Sequence, residues 1–528
     1  MAASVRKAAP RQPGSASSTA AQLVWIALPG PDIDEASSTL LRRGAGGVVL
    51  FSRNITGADQ LRELVKDLRR RASGPLRVAI DHEGGHIVRL GAPLTRFPGA
   101  MAVSATGSQE LAYAVARAAG SELASLGIDV NLAPVLDVAH DLRNASVGVR
   151  SFGSSPELVA QFGAATIRGY RDAGVAATAK HFPGHGRTPV DPHASMPVVT
   201  GGLAALRRHD LPPFGAAIDA GVELVMATHV AYEGLTGGLP STLAAAVLHD
   251  LLRDEMDFAG LTVSDAMNMG ALTEGHTIPT ACVRSLAAGV DVVMPLEQQA
   301  ETVTALEQAM ASGELPAARV AQALERSERL DDRLSTATAR RKPVAPPHAE
   351  HLELARTVAR RSLTLVHGDD LLPLRPSTSV AVIEFASRRP SPIEEQLSPT
   401  PSLGTALKRH LPRVREVIVD GQAQGPATER NRQEAAATEA AADAEFVILA
   451  TRDAYLWPEE QRLIGRIAST DVRTMLVALR NPYDLARLPR TGAAAAAYAD
   501  VPVTLEALAD ALTGRADWPG SLPVELPG

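Results

Sequence analysis

Eight short apolar runs, each followed by an amphipathic stretch, dominate the first part of this 528-residue chain. The runs are Leu23–Leu28, Gly47–Phe51, Leu76–Asp81, Val130–Asp137, Ala176–His181, Leu224–His229, Leu261–Asp265 and Asp291–Pro295. Between them, helical periodicity appears at Asp59–Arg71, Ser108–Leu126, Pro156–Ala173, Leu203–Ala220, Ala244–Glu255 and Ile278–Gly289. Strands that alternate with helices must run parallel, because each return crossover consumes a helix. Eight such units in roughly 310 residues predict a closed (β/α)₈ barrel rather than an open sheet.

Polar residues fall where such a barrel would use them. Asp81, Asp137, Lys180, His181, His229 and Asp265 each stand at the carboxyl end of a predicted strand, the end that carries active sites in this architecture. A single Asp there is also a favoured helix N-cap. Six polar groups on one rim exceed what capping requires.

Leu324–Arg340 reads as a charged terminal helix, and residues 341–352, with Pro343, Pro346 and Pro347, read as a linker. Residues 353–528 then repeat an α/β pattern, with runs at Leu363–His367, Val380–Phe385, Val414–Asp420, Phe446–Thr451, Met475–Leu479 and Ala494–Ala499. This predicts a three-layer sheet domain. It has no glycine fingerprint for phosphate and no cluster of His and carboxylate, so it receives no catalytic role. Residues 1–20, basic and then rich in Ser and Ala, are expected to be a disordered tail, which leaves 21–340 for the barrel.

The formal net charge of −7 offers no basic field for nucleic acid. No run approaches the roughly 20 apolar residues of a membrane span, and Leu23–Leu28 is too short for the core of a signal peptide. A cytoplasmic protein is expected. Its one cysteine, Cys282, excludes an intramolecular disulfide and reads as a small buried hydrophobe. Nothing in the sequence speaks to oligomeric state.

The chemistry concentrates in Lys180-His181-Phe182-Pro183-Gly184-His185-Gly186 and the following Asp191-Pro192-His193. Its glycines and prolines exclude regular helix, so the polar groups sit on a loop. A carboxylate two residues from an imidazole can orient the ring and favour its protonated form, which suits a general acid. Asp265 could supply a carboxylate nucleophile. An acid and a carboxylate on either side of one bond is the arrangement that glycoside cleavage needs. Two other readings fit the loop. His181, His185, Asp191 and His193 could bind zinc, although Lys180 adds positive charge and Pro183-Gly184 breaks the helix that usually presents such ligands. Alternatively, the histidines could simply bond to the backbone.

Lys180–Gly186 with Asp191-x-His193 resembles the signature of bacterial β-N-acetylglucosaminidases of glycoside hydrolase family 3. Further pieces match in order: Asp81-His82-Glu83-Gly84-Gly85 with Arg89, Asn131–Asp137, Arg150-Ser151-Phe152-Gly153 and Ser264-Asp265-Ala266-Met267. The resemblance covers about residues 20–335. Arg361–Leu365 and Arg480-Asn481-Pro482-Tyr483-Asp484 look like the family's C-terminal α/β sandwich.

The resemblance implies a TIM barrel followed by an α/β sandwich and a retaining exo-acting enzyme. It would cleave terminal N-acetylglucosamine from cell-wall fragments, as in peptidoglycan recycling. Asp265 would be the nucleophile, and His193 the acid/base with Asp191 as its partner. Asp81, Arg89, Arg150, Lys180 and His181 would hold the sugar, with His229 on the same rim; for the two arginines a salt bridge is the alternative. No metal or organic cofactor is implied. The same site could serve a phosphorylase, and a non-catalytic sugar-binding protein is the reading from a different class. Two positions depart from the family pattern: His86, where Arg is usual, and Pro192, where Ser or Thr is common. Pro192 biases Asp191 toward extended backbone.

Overall fold

The computed structural model describes residues 16–141, 143–188, 196–340, 343–388, 394, 402–420 and 427–526. Eight parallel strands form the first domain: β1 (Trp25–Ala27), β2 (Gly47–Leu50), β3 (Arg77–Ile80), β4 (Val130–Asn131), β5 (Ala176–Phe182), β6 (Leu224–Ala227), β7 (Leu261–Ala266) and β8 (Val292–Met294). They pair in chain order. A parallel bridge between Val24 and Val293 joins the last strand to the first, closing the barrel.

Alternation along each strand sends side chains to two cores. Trp25, Val49, Ala79, Val130, Leu224, Val263 and Val292 pack together in the interior. Their neighbours Val48, Val78 and Ile80 pack outward with Leu61, Leu64 and Leu68, which line the buried face of the helix Ala58–Arg71. Ser108 and Ser155 cap the next long helices by accepting from Leu111 N and Leu158 N.

Three local expectations change. The Val130–Asp137 run keeps only two residues in regular strand, since Pro134 has no N–H for the ladder. The helical stretch Leu203–Ala220 is two helices, Gly202–His209 and Pro212–Asp219, because Pro212 and Pro213 cannot continue the first. The segment read as a disordered tail becomes helical at Ala16–Gln22. There Ala20 and Ala21 are buried, and the carbonyl of Ala21 accepts from Gly46 N.

The second domain contains β9 (Thr364–His367), β10 (Val380–Phe385), β11 (Val414–Val419), β12 (Phe446–Thr451), β13 (Arg473–Ala478) and β14 (Ala493–Ala496). Their order is β9-β14-β13-β12-β10-β11, with β9 antiparallel to β14 and the other pairs parallel. The helix Ala349–Ser362 starts within the stretch read as linker and docks on the barrel side, where His351 Nδ1 lies 2.7 Å from Glu122 Oε1. One hydrophobic core runs through both domains, from Val159 and Phe162 to Val358 and Leu508. Among the described residues, no helix is long and apolar enough to cross a membrane. Cys282 is buried, and burial pushes its thiol up from the ordinary value.

Candidate active site

The carboxyl ends of the strands enclose a cavity of about 410 Å³, lined by Asp81, Arg89, Lys180, His181 and Asp265 together with Phe51, Arg53, Leu132, Met226, Asn268, Met269 and Met294. That size suits a small ligand, and the mixture of apolar walls with a few converging polar groups is typical of such sites. Five of the predicted site residues therefore meet in one place, as the barrel topology required.

Lys180, on β5, is almost fully buried. Its Nζ lies 2.7 Å from Asp81 Oδ1 and 2.6 Å from Glu83 Oε1. Arg89 Nη2 reaches the other oxygen of Asp81 at 3.4 Å. Glu83 in turn accepts two bonds from Arg150, from Nε and Nη2 at 2.8 Å each. Burial alone would raise the Glu83 carboxyl; Arg150 and Lys180 outweigh it and hold the group well below the usual range. Sequence reasoning assigned no role to Glu83, although it lies two residues after Asp81 in a quoted motif.

Arg150 stands behind the cavity. Its Nη1 donates to Ser146 O at 2.6 Å and the rest of its guanidinium to Glu83, so its nitrogens are engaged inside the protein. It borders a neighbouring void of about 40 Å³ instead. His229 is likewise buried, with Nδ1 2.6 Å from Thr242 Oγ1 and Nε2 3.1 Å from Ala266 O. It braces the backbone that carries Asp265, whose Oδ1 accepts from Ala266 N at 2.7 Å.

Asp137 organises the start of the glycine-rich loop. Its oxygens accept from His181 N at 3.3 Å, His185 N at 2.7 Å and His181 Nδ1 at 2.6 Å. Burial opposes ionisation of Asp137, but His181 and His185 overcome it and lower its carboxyl. The bond to Nδ1 leaves Nε2 as the nitrogen His181 can offer the cavity. Asp137, His181 and His185 bring ligand-type atoms within 4.8 Å of one another. Within that cluster, the bond between His181 Nδ1 and Asp137 forms a carboxylate–imidazole pair. Gly186 is required here, since a Cβ would fall 1.6 Å from Val138 O.

The predicted Asp191–His193 pair lies outside the described residues. Both stems that flank it are anchored. Arg187 Nε is 2.7 Å from Asp210 Oδ2, and its Nη1 donates to Thr200 O at 2.9 Å. After the pair, Val198–Val199 forms a short parallel ribbon with Ala231–Tyr232.

Comparison with known proteins identifies the family of the barrel. The profile of the glycosyl hydrolase family 3 N-terminal domain matches residues 18–330. The chain is 32% identical over 394 residues to a β-hexosaminidase A of Pseudoalteromonas piscicida, a match that covers 67% of this chain and 65% of that protein. It is 32% identical over 292 residues to a β-hexosaminidase of Idiomarina loihiensis, covering 54% of this chain and 87% of that one. Among solved structures, a family 3 β-N-acetylglucosaminidase from Paenibacillus sp. superposes with a TM-score of 0.91 and 32% identity, across 97% of this chain and 98% of that one. This chain belongs to glycosyl hydrolase family 3.

Proposed function

We propose that this protein is a retaining exo-β-N-acetylglucosaminidase. The observation that carries the reading is the Asp265 carboxylate sharing one cavity with Asp81, Arg89, Lys180 and His181. A carboxylate nucleophile thus faces a set of sugar-hydroxyl donors and acceptors. Likeness to the Paenibacillus β-N-acetylglucosaminidase through both domains supports the choice of sugar.

In this reading His193, oriented by Asp191, donates a proton to the glycosidic oxygen while an oxygen of Asp265 attacks the anomeric carbon. The C–O bond to the leaving group breaks, and a glycosyl ester forms on Asp265. Water, giving its proton to His193, then displaces the ester and returns the sugar with its original configuration. Lys180, Asp81 and Arg89 hold hydroxyls through both steps, and His181 reaches the ligand through Nε2. Arg150 and His229 act from behind, through Glu83 and Ala266. The substrates are carbohydrates ending in β-linked N-acetylglucosamine, with peptidoglycan fragments the class proposed.

Incubation with paired aryl N-acetylglucosaminide and aryl glucoside, with and without phosphate, tests this. Free N-acetylglucosamine as the main product is expected. Sugar-1-phosphate as the main product would instead make the protein a phosphorylase, and binding without turnover would make it a sugar-binding protein.

A further inference from the structure

The motif Arg480-Asn481-Pro482-Tyr483-Asp484 stands just after β13, and no step proposed above uses it. Its asparagine meets the barrel directly, and its arginine approaches the barrel through another carboxylate. Asn481 is buried, and its Nδ2 donates to Asp453 Oδ1 at 2.6 Å. Its Oδ1 has no hydrogen-bond partner among the described residues. That oxygen rests against Gly148 so closely that a Cβ there would fall 2.4 Å away. Gly148, at φ +38°, begins the turn Gly148–Arg150. The amide of Asn481 is therefore flush against the backbone that presents Arg150.

Arg480 faces a second barrel loop only through Glu394. Its Nη1 lies 2.9 Å from Glu394 Oε2, and Glu394 Oε1 lies 3.7 Å from His86 Nε2. Arg480 Nε is 3.3 Å from Asp500 Oδ2, which also takes Arg452 Nε at 2.8 Å. Arg452 continues to Glu384 Oε1 at 2.7 Å. The ion pairs among Arg480, Asp500, Arg452 and Glu384 are buried and link the ends of four parallel strands, β14, β13, β12 and β10, so they form a rigid face. Against it rest the loop that bears Glu83 and His86 and the turn that bears Arg150. Between these two loops runs the two-pronged Glu83–Arg150 bond, and Glu83 holds Lys180 beside Asp81. In a close-packed interior a shift at one end of such a chain is transmitted to the other.

We propose that Asn481 and Arg480 of the second domain are positioning residues for the sugar subsite. They seat the Gly148–Arg150 turn and the His86 loop so that Glu83 keeps Lys180 and Asp81 in place. The inference rests on the functional reading above, in which Lys180 and Asp81 hold the sugar. It gives the second domain a part in substrate binding without contact to substrate.

The test compares wild type with Asn481→Ala and His86→Ala in the full chain. It measures kcat and KM on an aryl N-acetylglucosaminide, Kd for N-acetylglucosamine by calorimetry, and the melting temperature. Loosening contacts made equally in ground and transition states should raise KM and Kd roughly 10-fold while kcat stays within about two-fold. A purely structural role would lower the melting temperature and leave KM and Kd unchanged well below it, which overturns the inference. If Asn481→Ala does not fold, His86→Ala, which leaves the second domain intact, decides by the same criterion. A wild type that neither cleaves nor binds the sugar overturns the functional reading and this inference together. An active wild type with unaffected variants overturns the inference alone.

Discussion

Lys180 Nζ lies 2.6 Å from Glu83 Oε1, and the lysine side chain is only 1% exposed. A buried ammonium so close to a carboxylate is tolerable only because each group neutralises the other. Glu83 also neutralises Arg150, so one carboxylate serves two cations. Glu83→Gln removes that charge and leaves both cations underpaired. Loss of one partner from a buried pair typically costs about 3–5 kcal/mol, and a stability loss of that order is expected in denaturant titrations, with a raised KM. A variant within about 0.5 kcal/mol of wild type, the usual range for inconsequential surface changes, would refute the arrangement.

Asp265→Ala should reduce turnover to background on natural and aryl substrates alike, because in the proposed mechanism both pass through a covalent intermediate on Asp265. Sugar binding should persist, since Asp81, Arg89 and Lys180 remain. Calorimetry and product assays on the folded variant check this. Substantial residual hydrolysis with retained configuration would remove Asp265 from the nucleophile's role.

His193→Ala should separate substrates by leaving group. Natural glycosides need a proton on the departing oxygen and should slow by roughly 10²–10⁴-fold. An aryl glycoside with an acidic phenol leaves unaided and should lose much less in its first step. Equal losses in the first-step rate constants, read by stopped flow, would contradict the acid assignment.

Stability should fall as pH rises from about 6.5 to 8.5. Burial holds Asp210, Glu394 and Asp484 up at about 7, with Arg187 and Arg480 opposing it at the first two. Burial likewise holds Glu460 at about 8, against Arg388. The unfolded chain, with ordinary values of 3.8 and 4.5, has already released these protons. The folded state therefore binds more protons in this window, and its advantage is lost as pH passes through the raised values. His82 and His86, lowered by burial to about 4 and 3, make their contribution below 6.5 and do not mask the trend. Calorimetric melting should show the decline, and Glu460→Gln should flatten it. A melting temperature that climbs across the window would contradict the burial of these carboxyls.

Much of the fold was legible because its signals are local. Each barrel strand is a short apolar run, and the change from strand to helical periodicity marks most units, though not the first, whose helix Glu35–Arg42 went unread. The rim residues Asp81, Lys180, His181 and Asp265 could be placed because strand ends in a barrel converge wherever the strands do. The misread boundaries also have local causes, as at Pro134 and the Pro212-Pro213 pair. His229 was legible as a rim residue and Arg150 only through the family resemblance, and neither was legible as facing away from the cavity. Side-chain direction at a strand end depends on what packs behind it.

Alternating hydrophobicity, a property of neighbours in the chain, determined by itself that this protein is a barrel with a second sheet domain and where its polar rim lies. Only the tertiary structure decided that Glu83 joins Arg150 and Lys180, partners 67 and 97 positions away. It alone set Asn481 against Gly148. Such pairings arise when remote loops are pressed together out of water, and no periodicity along the chain records which charges then find each other.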